Sequence, residues 1–230
     1  MQWTVLSREP PSVPEPTPSH RDSASAARPE SPLERFERSL FIGYEQWHDG
    51  TTYDIDALRE LTADQRRGVE ARLVPPSGWR DIQALAVLAS LGSASATTEL
   101  RKGATAGSSE IRLAVIRYAP KLVDDSARTA ALVEALDNAT AFDDFTTTLQ
   151  QVEAFHPKPV IDALWRGIES RQGDVAVHYA GMLAFLYGKA DSSFDWHLRP
   201  LFLKFNTTDD VQRRAAVSDL RKRVEVDATG

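Results

Sequence analysis

Hydrophobic residues along most of this chain recur at steps of three and four, which is the period of one face of an α-helix. The first such stripe predicts a single helix that ends near Gly50, and it consists of Leu33, Phe36, Leu40, Phe41, Tyr44 and Trp47. Two shorter helices are predicted over 54–61 and 63–73. Thr62, followed by Gln65 three residues later, predicts a capping box at the second of them. No segment alternates like a strand over a useful length, so the pattern predicts an all-α fold.

A degenerate repeat follows Trp79. Five segments open with an acidic and an apolar residue and continue as an Ala- and Leu-rich stripe; they begin at Asp81, Glu110, Asp144, Asp174 and Asp210. A second helix is predicted between consecutive starts, over 96–106, 126–138, 159–170 and 197–205. A lone helical hairpin cannot bury its apolar stripe, so neighbouring hairpins must stack. The sequence therefore predicts a helical-hairpin solenoid.

The N-terminal segment has a different composition, because seven of the 13 prolines fall within the first 32 residues. Such a segment buries too little apolar surface to offset the entropy of ordering it. We predict a disordered Pro- and Ser-rich tail over 1–31 and one folded domain over 32–230. No apolar run is long enough to span a bilayer, and the first residues lack the basic and apolar regions of a secretory signal. These features predict a cytoplasmic protein.

Charge and cysteine content exclude several classes of function. The 230 residues include 27 Lys and Arg, 33 Asp and Glu and no cysteine, with a formal net charge of −6. Without cysteine there are no disulfides, thiolate metal sites, iron–sulfur clusters or cysteine nucleophiles. The negative balance argues against a general nucleic-acid binder, which needs a basic surface. No motif points to a cofactor or a metal, and we expect neither.

The densest polar cluster lies around His48. This histidine and Asp49, with Glu45 and Asp54 nearby, could form an acid–base or metal site. The simpler interpretation is that His48 and Asp49 lie at a helix C-terminus and cap it. The five histidines include no pair at i, i+3 or i+4, so no helical metal pair exists. His178 falls on an apolar helix and is predicted to be a half-buried packing residue.

A basic cluster marks the last predicted helix and consists of Arg213, Arg214, Arg221, Lys222 and Arg223. These residues could contact phosphates, or they could form the solvated outer face of the last repeat. Five acidic residues offset them: Asp209, Asp210, Asp219, Glu225 and Asp227. Because the charges over 209–227 sum to zero, we favour the solvated face. Just before this helix lie Phe194, Trp196, Leu201, Phe202 and Phe205, which are predicted to be mostly core. Any aromatic side chain left exposed there would be a binding anchor.

The second helices of the hairpins carry the candidate binding residues, because a solenoid presents such helices on one extended concave surface. The candidates are Glu99, Lys102, Arg128, Glu134, Asp162, Arg166 and Glu169. Mixed charge suits a protein partner. The mild excess of acid over the whole chain favours a basic one, since complementary fields raise the association rate and the specificity.

The repeat region over 79–224 resembles HEAT repeats of the shorter bacterial kind. The segments GYEQWHDGTTYDIDALRELTADQRRGVEARL (43–73) and GWRDIQALA (78–86) resemble the opening of bacterial HEAT-like proteins found beside polymorphic toxins. Those proteins are thought to act as immunity proteins. The resemblance implies a non-catalytic module that neutralises a cognate toxin by direct binding, and a basic toxin domain as the partner.

The alternative is an enzyme, a HEAT-like glycosylase that removes alkylated bases from DNA. Such an enzyme needs a basic groove, an exposed tryptophan and a nearby acid. Trp165 or Trp196, with Asp162 or Asp195, could take those roles. The absence of a basic stripe on the second helices argues against this alternative, so we predict no enzymatic activity and no nucleic-acid or membrane partner.

Overall fold

The computed structural model describes residues 28–140 and 145–225, and the regular structure in those residues is entirely helical. This confirms the predicted all-α class. The helices are α1 Pro32–Ser39, α2 Tyr44–His48, α3 Ile55–Glu60, α4 Ala63–Leu73, α5 Trp79–Ser90, α6 Ala94–Ala106, α7 Ser109–Tyr118, α8 Asp125–Asn138, α9 Phe145–Ala154, α10 Lys158–Ser170, α11 Gly173–Leu186, α12 Arg199–Phe202 and α13 Asp210–Glu225. Short 3-10 turns cover Pro120–Leu122 and Leu203–Phe205.

The predicted tail over 1–31 lies almost wholly in residues 1–27, which are outside the described residues. Residues 28–31 carry no helix, and α1 begins at Pro32. None of the helices over 28–140 and 145–225 has the length and apolar character needed to cross a membrane.

Helix boundaries after Trp79 lie close to those predicted from the sequence. The predicted second helices over 96–106, 126–138 and 159–170 are α6, α8 and α10, each beginning one or two residues earlier than expected. Side-chain caps explain the starts of α6 and α8, since such caps satisfy amides that have no partner within the helix. Ser93 Oγ accepts from the Ala96 amide at 3.1 Å, and Asp124 Oδ1 accepts from the Ala127 amide at 2.7 Å.

Acidic residues lie in the first turns of the helices that open each unit, where the helix dipole favours negative charge. Those within the described residues are Asp81, Glu110, Asp174 and Asp210. Asp144, the predicted start of the third unit, is outside the described residues, and α9 begins at Phe145.

The single helix predicted over 33–47 is wrong. Helix α1 ends at Ser39, and a separate helix, α2, begins at Tyr44. The pattern predicted a single buried face that includes Phe41 and Tyr44, but both residues are 79% exposed. A tertiary contact accompanies the break. Ser39 Oγ accepts from the Asp54 amide at 2.9 Å, which ties the end of α1 to the start of α3 and turns the chain away from a continuous helix.

The helix predicted over 197–205 begins two residues later than expected and consists of α12 followed directly by the 3-10 turn over Leu203–Phe205. Asp195 holds the preceding residues in a turn, because its carboxylate accepts from the amides of Asp191 at 3.2 Å and His197 at 2.8 Å. These bonds to the charged form lower the pKa of Asp195 below its usual range. Pro200 then lies in the first turn of α12, where its missing N–H is tolerated.

Two hydrophobic cores run through the described residues. The first is built from residues between Leu33 and Val123, and the second from residues between Leu113 and Val224. Helix α7 contributes to both, with Val115 in the first core and Leu113 in the second. Helices pack mainly against chain neighbours: α5 against α3, α4, α6 and α7, and α10 against α8, α11 and α13.

The second core is fixed at its centre by Tyr179 of α11. Its ring is fully buried, and its hydroxyl donates to the Leu136 carbonyl at the end of α8, at 2.7 Å. Gly167 of α10 lies directly against the ring, where any side chain would collide. These contacts set the spacing of α8, α10 and α11, the helices that carry most of the candidate binding residues.

Candidate protein-binding surface

The two candidate residues on α6 pair with each other. Lys102 Nζ lies 3.7 Å from Glu99 Oε2, one helical turn away. The lysine is well exposed, whereas only 20% of the Glu99 side chain is accessible. Glu99 is therefore less available to a partner than its position on a second helix predicts.

On α8, Arg128 packs on an aromatic ring. Its guanidinium carbon lies 4.3 Å from the centroid of Phe155, and its Nε is buried without a hydrogen-bond partner. Partial burial lowers the pKa of Arg128, although Asp125 opposes the shift. Glu134 lies later in the same helix. Its side chain is exposed and forms an ion pair with Arg112 of α7.

The three candidates on α10 also form ion pairs. Asp162 Oδ2 lies 2.7 Å from Lys158 Nζ one turn earlier, within the same helix. The other two connect neighbouring helices: Arg166 to Asp137 of α8 at 3.1 Å, and Glu169 to Arg221 of α13 at 2.7 Å. Two of the candidate charges on α10 are thus paired with residues of neighbouring helices.

Aromatic side chains lie beside these α10 charges. Trp165 donates from its indole nitrogen to the Tyr187 hydroxyl at 3.4 Å, and the two rings meet edge to face. The guanidinium of Arg221 lies 4.5 Å from the Trp165 ring centroid while it pairs with Glu169. We name Trp165, Glu169, Tyr187 and Arg221 the aromatic–arginine cluster.

The cluster is open to solvent on one side and anchored on the other. Tyr187 is 41% exposed and the Arg221 side chain 45% exposed, whereas Trp165 is half-buried against the second core. Sequence reasoning placed only Glu169 at a protein-binding surface. Trp165 and Glu169 are one turn apart on α10, so their proximity can be predicted from the helical pattern alone. The contact between Glu169 and Arg221 spans 52 residues of chain and leaves no local signal.

The polar cluster around His48 does not assemble into a compact site. His48 Nδ1 lies 3.7 Å from Asp49 Oδ1, with both side chains highly exposed. Asp54 is engaged elsewhere: it accepts from the Ala57 amide at 2.8 Å as the cap of α3 and pairs with Arg35 at 3.3 Å. Within 28–140 and 145–225, no three His, Asp or Glu side chains come close enough to hold a metal ion.

His178 lies where the apolar pattern predicts, half-buried on α11. Its ring packs edge to face against Phe145 at 5.4 Å and Phe194 at 5.0 Å between centroids. Burial lowers the pKa of His178, with Asp174 opposing the shift.

The residues nominated for base excision are spread over two places. Asp162 pairs with Lys158 beside Trp165, whose ring is covered by Arg221. Asp195 uses its carboxylate to hold a turn, and the adjacent Trp196 is 74% exposed with Arg199 over its ring at 4.7 Å. Neither tryptophan lies beside an acid that is free of an ion pair or a turn.

Comparison of this chain with models of protein families, with curated proteins and with solved structures finds no match.

Proposed function

We propose that this chain is a non-catalytic helical-repeat module that binds one protein partner, and that it acts as an immunity-type protein by blocking a toxin through direct contact. The observation that carries the proposal is the aromatic–arginine cluster. Trp, Tyr and Arg are the residues most enriched among those that dominate binding energy at protein interfaces. Here one of each lies together at the surface, in contact with the second core.

Preorganisation supports the same function. Trp165, Tyr187 and Arg221 already hold one another through a hydrogen bond, an edge-to-face contact and a cation–π contact. Side chains fixed before association lose less conformational entropy on binding, so more of the contact energy contributes to affinity.

The charges around the cluster fit a basic partner. Asp137, Asp162 and Glu169 supply carboxylates within the same group of helices, and each is paired at a partly exposed position. An exposed ion pair contributes only about 0–1 kcal/mol, so an incoming lysine or arginine can exchange with the resident cation at little cost.

We also propose that α5–α13 stack as HEAT-like hairpins. Support comes from the recurring acidic residue in the first turns, from the alternation of helices and short turns, and from packing between chain neighbours. The chain contains no cysteine, so its fold does not depend on an oxidising compartment, which is in keeping with action in the cytoplasm.

The test is co-expression with the product of the neighbouring gene. We expect a complex of one copy of each protein by native mass spectrometry and protection of the host cell from that product. In the purified complex, Tyr187→Ala and Arg221→Ala should each weaken binding about tenfold, the size expected for residues at the centre of an interface.

Matched controls lie outside the cluster. Tyr44→Ala removes a tyrosine that is 79% exposed on α2, and Arg214→Ala removes an exposed arginine of α13. Both should leave the affinity unchanged. The proposal fails if neither the neighbouring product nor any other protein of the source cell forms a stoichiometric complex, or if cluster and control variants behave alike.

A further inference from the structure

A second surface includes residues of α13 that are not part of the aromatic–arginine cluster. A groove of about 720 Å³ runs between residues 197–204 and α13. Its lining combines apolar side chains, among them Leu198 and Pro200, with the charged side chains of Lys204, Lys222 and Arg223.

Among the described residues, the lining of the groove carries more positive than negative charge. Asp219 is its only acidic lining residue, and its carboxylate lies 3.1 Å from Lys204 Nζ, so these two charges cancel. Lys222 and Arg223 are exposed, and neither has an ion-pair partner among the described residues. The groove is therefore basic on a chain whose net charge is −6.

Of the described acids at the start of α13, neither Asp209 nor Asp210 lines this groove. Asp210 pairs with the buried Arg213 at 3.1 Å. Asp209 accepts from the Val211 amide at 2.7 Å and so serves the start of α13. Four residues of the predicted solvated face are exposed, namely Arg214, Arg221, Lys222 and Arg223, whereas Arg213 is buried. Of the exposed residues, Arg221 belongs to the aromatic–arginine cluster, and Lys222 and Arg223 line the groove.

An exposed aromatic residue borders the groove in sequence. Trp196 precedes the lining residue His197, and its side chain is 74% exposed under the guanidinium of Arg199. Apolar lining, free cations and an exposed indole favour a peptide that has both acidic and apolar side chains.

We propose that this groove binds an acidic segment of a protein partner, with carboxylates against Lys222 and Arg223 and an apolar side chain against Leu198 and Pro200. The inference rests on the proposed function, that the chain binds a protein, and adds a second contact site of opposite charge. A nucleic acid fits less well, because its affinity grows with the number of neutralised phosphates and the groove offers two free cations.

The experiment uses the full chain and a fluorescein-labelled peptide in which two glutamates flank a leucine on each side. We expect saturable binding, measured by fluorescence anisotropy, that weakens as salt is raised, since exposed charges are screened. A peptide with glutamine in place of each glutamate should bind at least about fivefold more weakly, the upper range for an exposed pair.

Charge reversal on α13 locates the site. Arg223→Glu should reduce affinity for the acidic peptide at least about fivefold. Arg214→Glu makes the same change in charge on the same helix outside the groove and should leave the affinity unchanged. Equal effects of the two variants, equal binding of the glutamine peptide, or preferential binding of a single-stranded oligonucleotide would each overturn the inference.

The outcome separates this inference from the proposed function. If cluster variants weaken the protein complex while Arg223→Glu changes neither peptide nor partner binding, the groove is not a binding site and the proposed function stands. If the acidic peptide binds in an Arg223-dependent way but no protein partner forms a complex, the groove stands and the proposed function fails.

Discussion

At the scale of single residues, Gly167 and Tyr179 are matched in size across the contact between α10 and α11. A Cβ atom on Gly167 would lie 2.5 Å from Tyr179 Cε2, well inside van der Waals contact. Moving the ring aside would disturb its buried packing and the bond from its hydroxyl to the Leu136 carbonyl. A methyl group at position 167 therefore requires a shift of α10 or of the ring.

We expect Gly167→Ala to lower the free energy of unfolding by about 1–3 kcal/mol, the usual cost of overpacking a core. Urea denaturation followed by circular dichroism measures this change. Gly68→Ala is the matched control, since it lies inside α4 with nothing within 4 Å of its Cβ position. Because alanine favours helices, that variant should be neutral or up to about 1 kcal/mol more stable. Equal destabilisation by both variants would show that packing against Tyr179 is not the cause.

Tyr53 and Asp81 form a buried polar contact in the first core. The Tyr53 hydroxyl donates to Asp81 Oδ1 at 2.9 Å, while Asp81 Oδ2 accepts from the amide and hydroxyl of Ser77, both at 2.7 Å. Burial, and then the bond to Asp81, raise the pKa of Tyr53 to about 12.

This shift predicts a loss of stability at high pH. The folded state holds the Tyr53 proton more tightly than the unfolded state, whose pKa is near 10. The contribution is therefore complete below about pH 10 and is lost as the pH rises towards 12. Urea denaturation of the wild type and of Tyr53→Phe across this range measures it. The variant should lose less stability, and parallel profiles would contradict the assignment.

Residue identity alone predicts little of these contacts. Gly167 is visible in the sequence only as a glycine inside a helical pattern. The partner of the Tyr179 hydroxyl, Leu136, is 43 residues away. Hydrogen bonds of this kind depend on how helices pack, and no local propensity encodes that packing.

At the scale of secondary-structure elements, local signals perform much better. The capping box predicted at Thr62 is present, with Thr62 and Gln65 exchanging hydrogen bonds at 3.3 and 2.9 Å. The helices after Trp79 follow their 3.6-residue period and their caps. The single helix predicted over 33–47 is interrupted where Ser39 contacts Asp54. The helix predicted over 197–205 starts two residues late, because the Asp195 turn precedes it.

The packing of α11 against α9 and the 188–198 segment contains a titratable contact at His178. Because burial lowers its pKa, the folded state favours the neutral ring, and the unfolded state binds a proton more readily. The stabilisation is present above the ordinary histidine pKa of 6.5 and is lost as the pH falls below it.

We expect the wild type to lose more stability than His178→Leu between about pH 7.5 and about pH 5.5, the range over which an ordinary histidine titrates. Thermal unfolding at both pH values measures the difference. His156→Leu is the control, because that histidine is exposed and bonds only backbone carbonyls at the end of α9. An identical loss in wild type and His178→Leu would exclude a role for this ring.

At the scale of the whole molecule, the candidate surface depends on contacts between distant segments. The sequence predicts seven charged residues on the second helices, and these residues lie on α6, α8 and α10. It could not show that Glu134, Arg166 and Glu169 pair with residues 22, 29 and 52 positions away. These ion pairs distinguish a charged side chain that already has a partner within the chain from one that can bind another protein.

The net charge of −6 leads to a prediction about the kinetics of partner binding. A basic partner should associate more slowly as salt rises from about 0.05 to about 0.5 M, because the long-range attraction is screened. The dissociation rate should change far less, since it depends on the close contacts of the interface. Stopped-flow recording of the intrinsic tryptophan fluorescence provides the measurement. An association rate independent of salt would argue against a basic partner.

The two cores that share α7 also bear on how the chain is made. Every described residue of the first core lies between Leu33 and Val123, and this part of the chain is translated before α8. Domains generally fold as units during synthesis, with the N-terminal part first. A nascent chain that has emerged as far as Val123 can therefore assemble the first core at once. Leu113 of α7, which belongs to the second core, then stays exposed to solvent. It provides an apolar surface on which α8 to α11 can pack as they leave the ribosome.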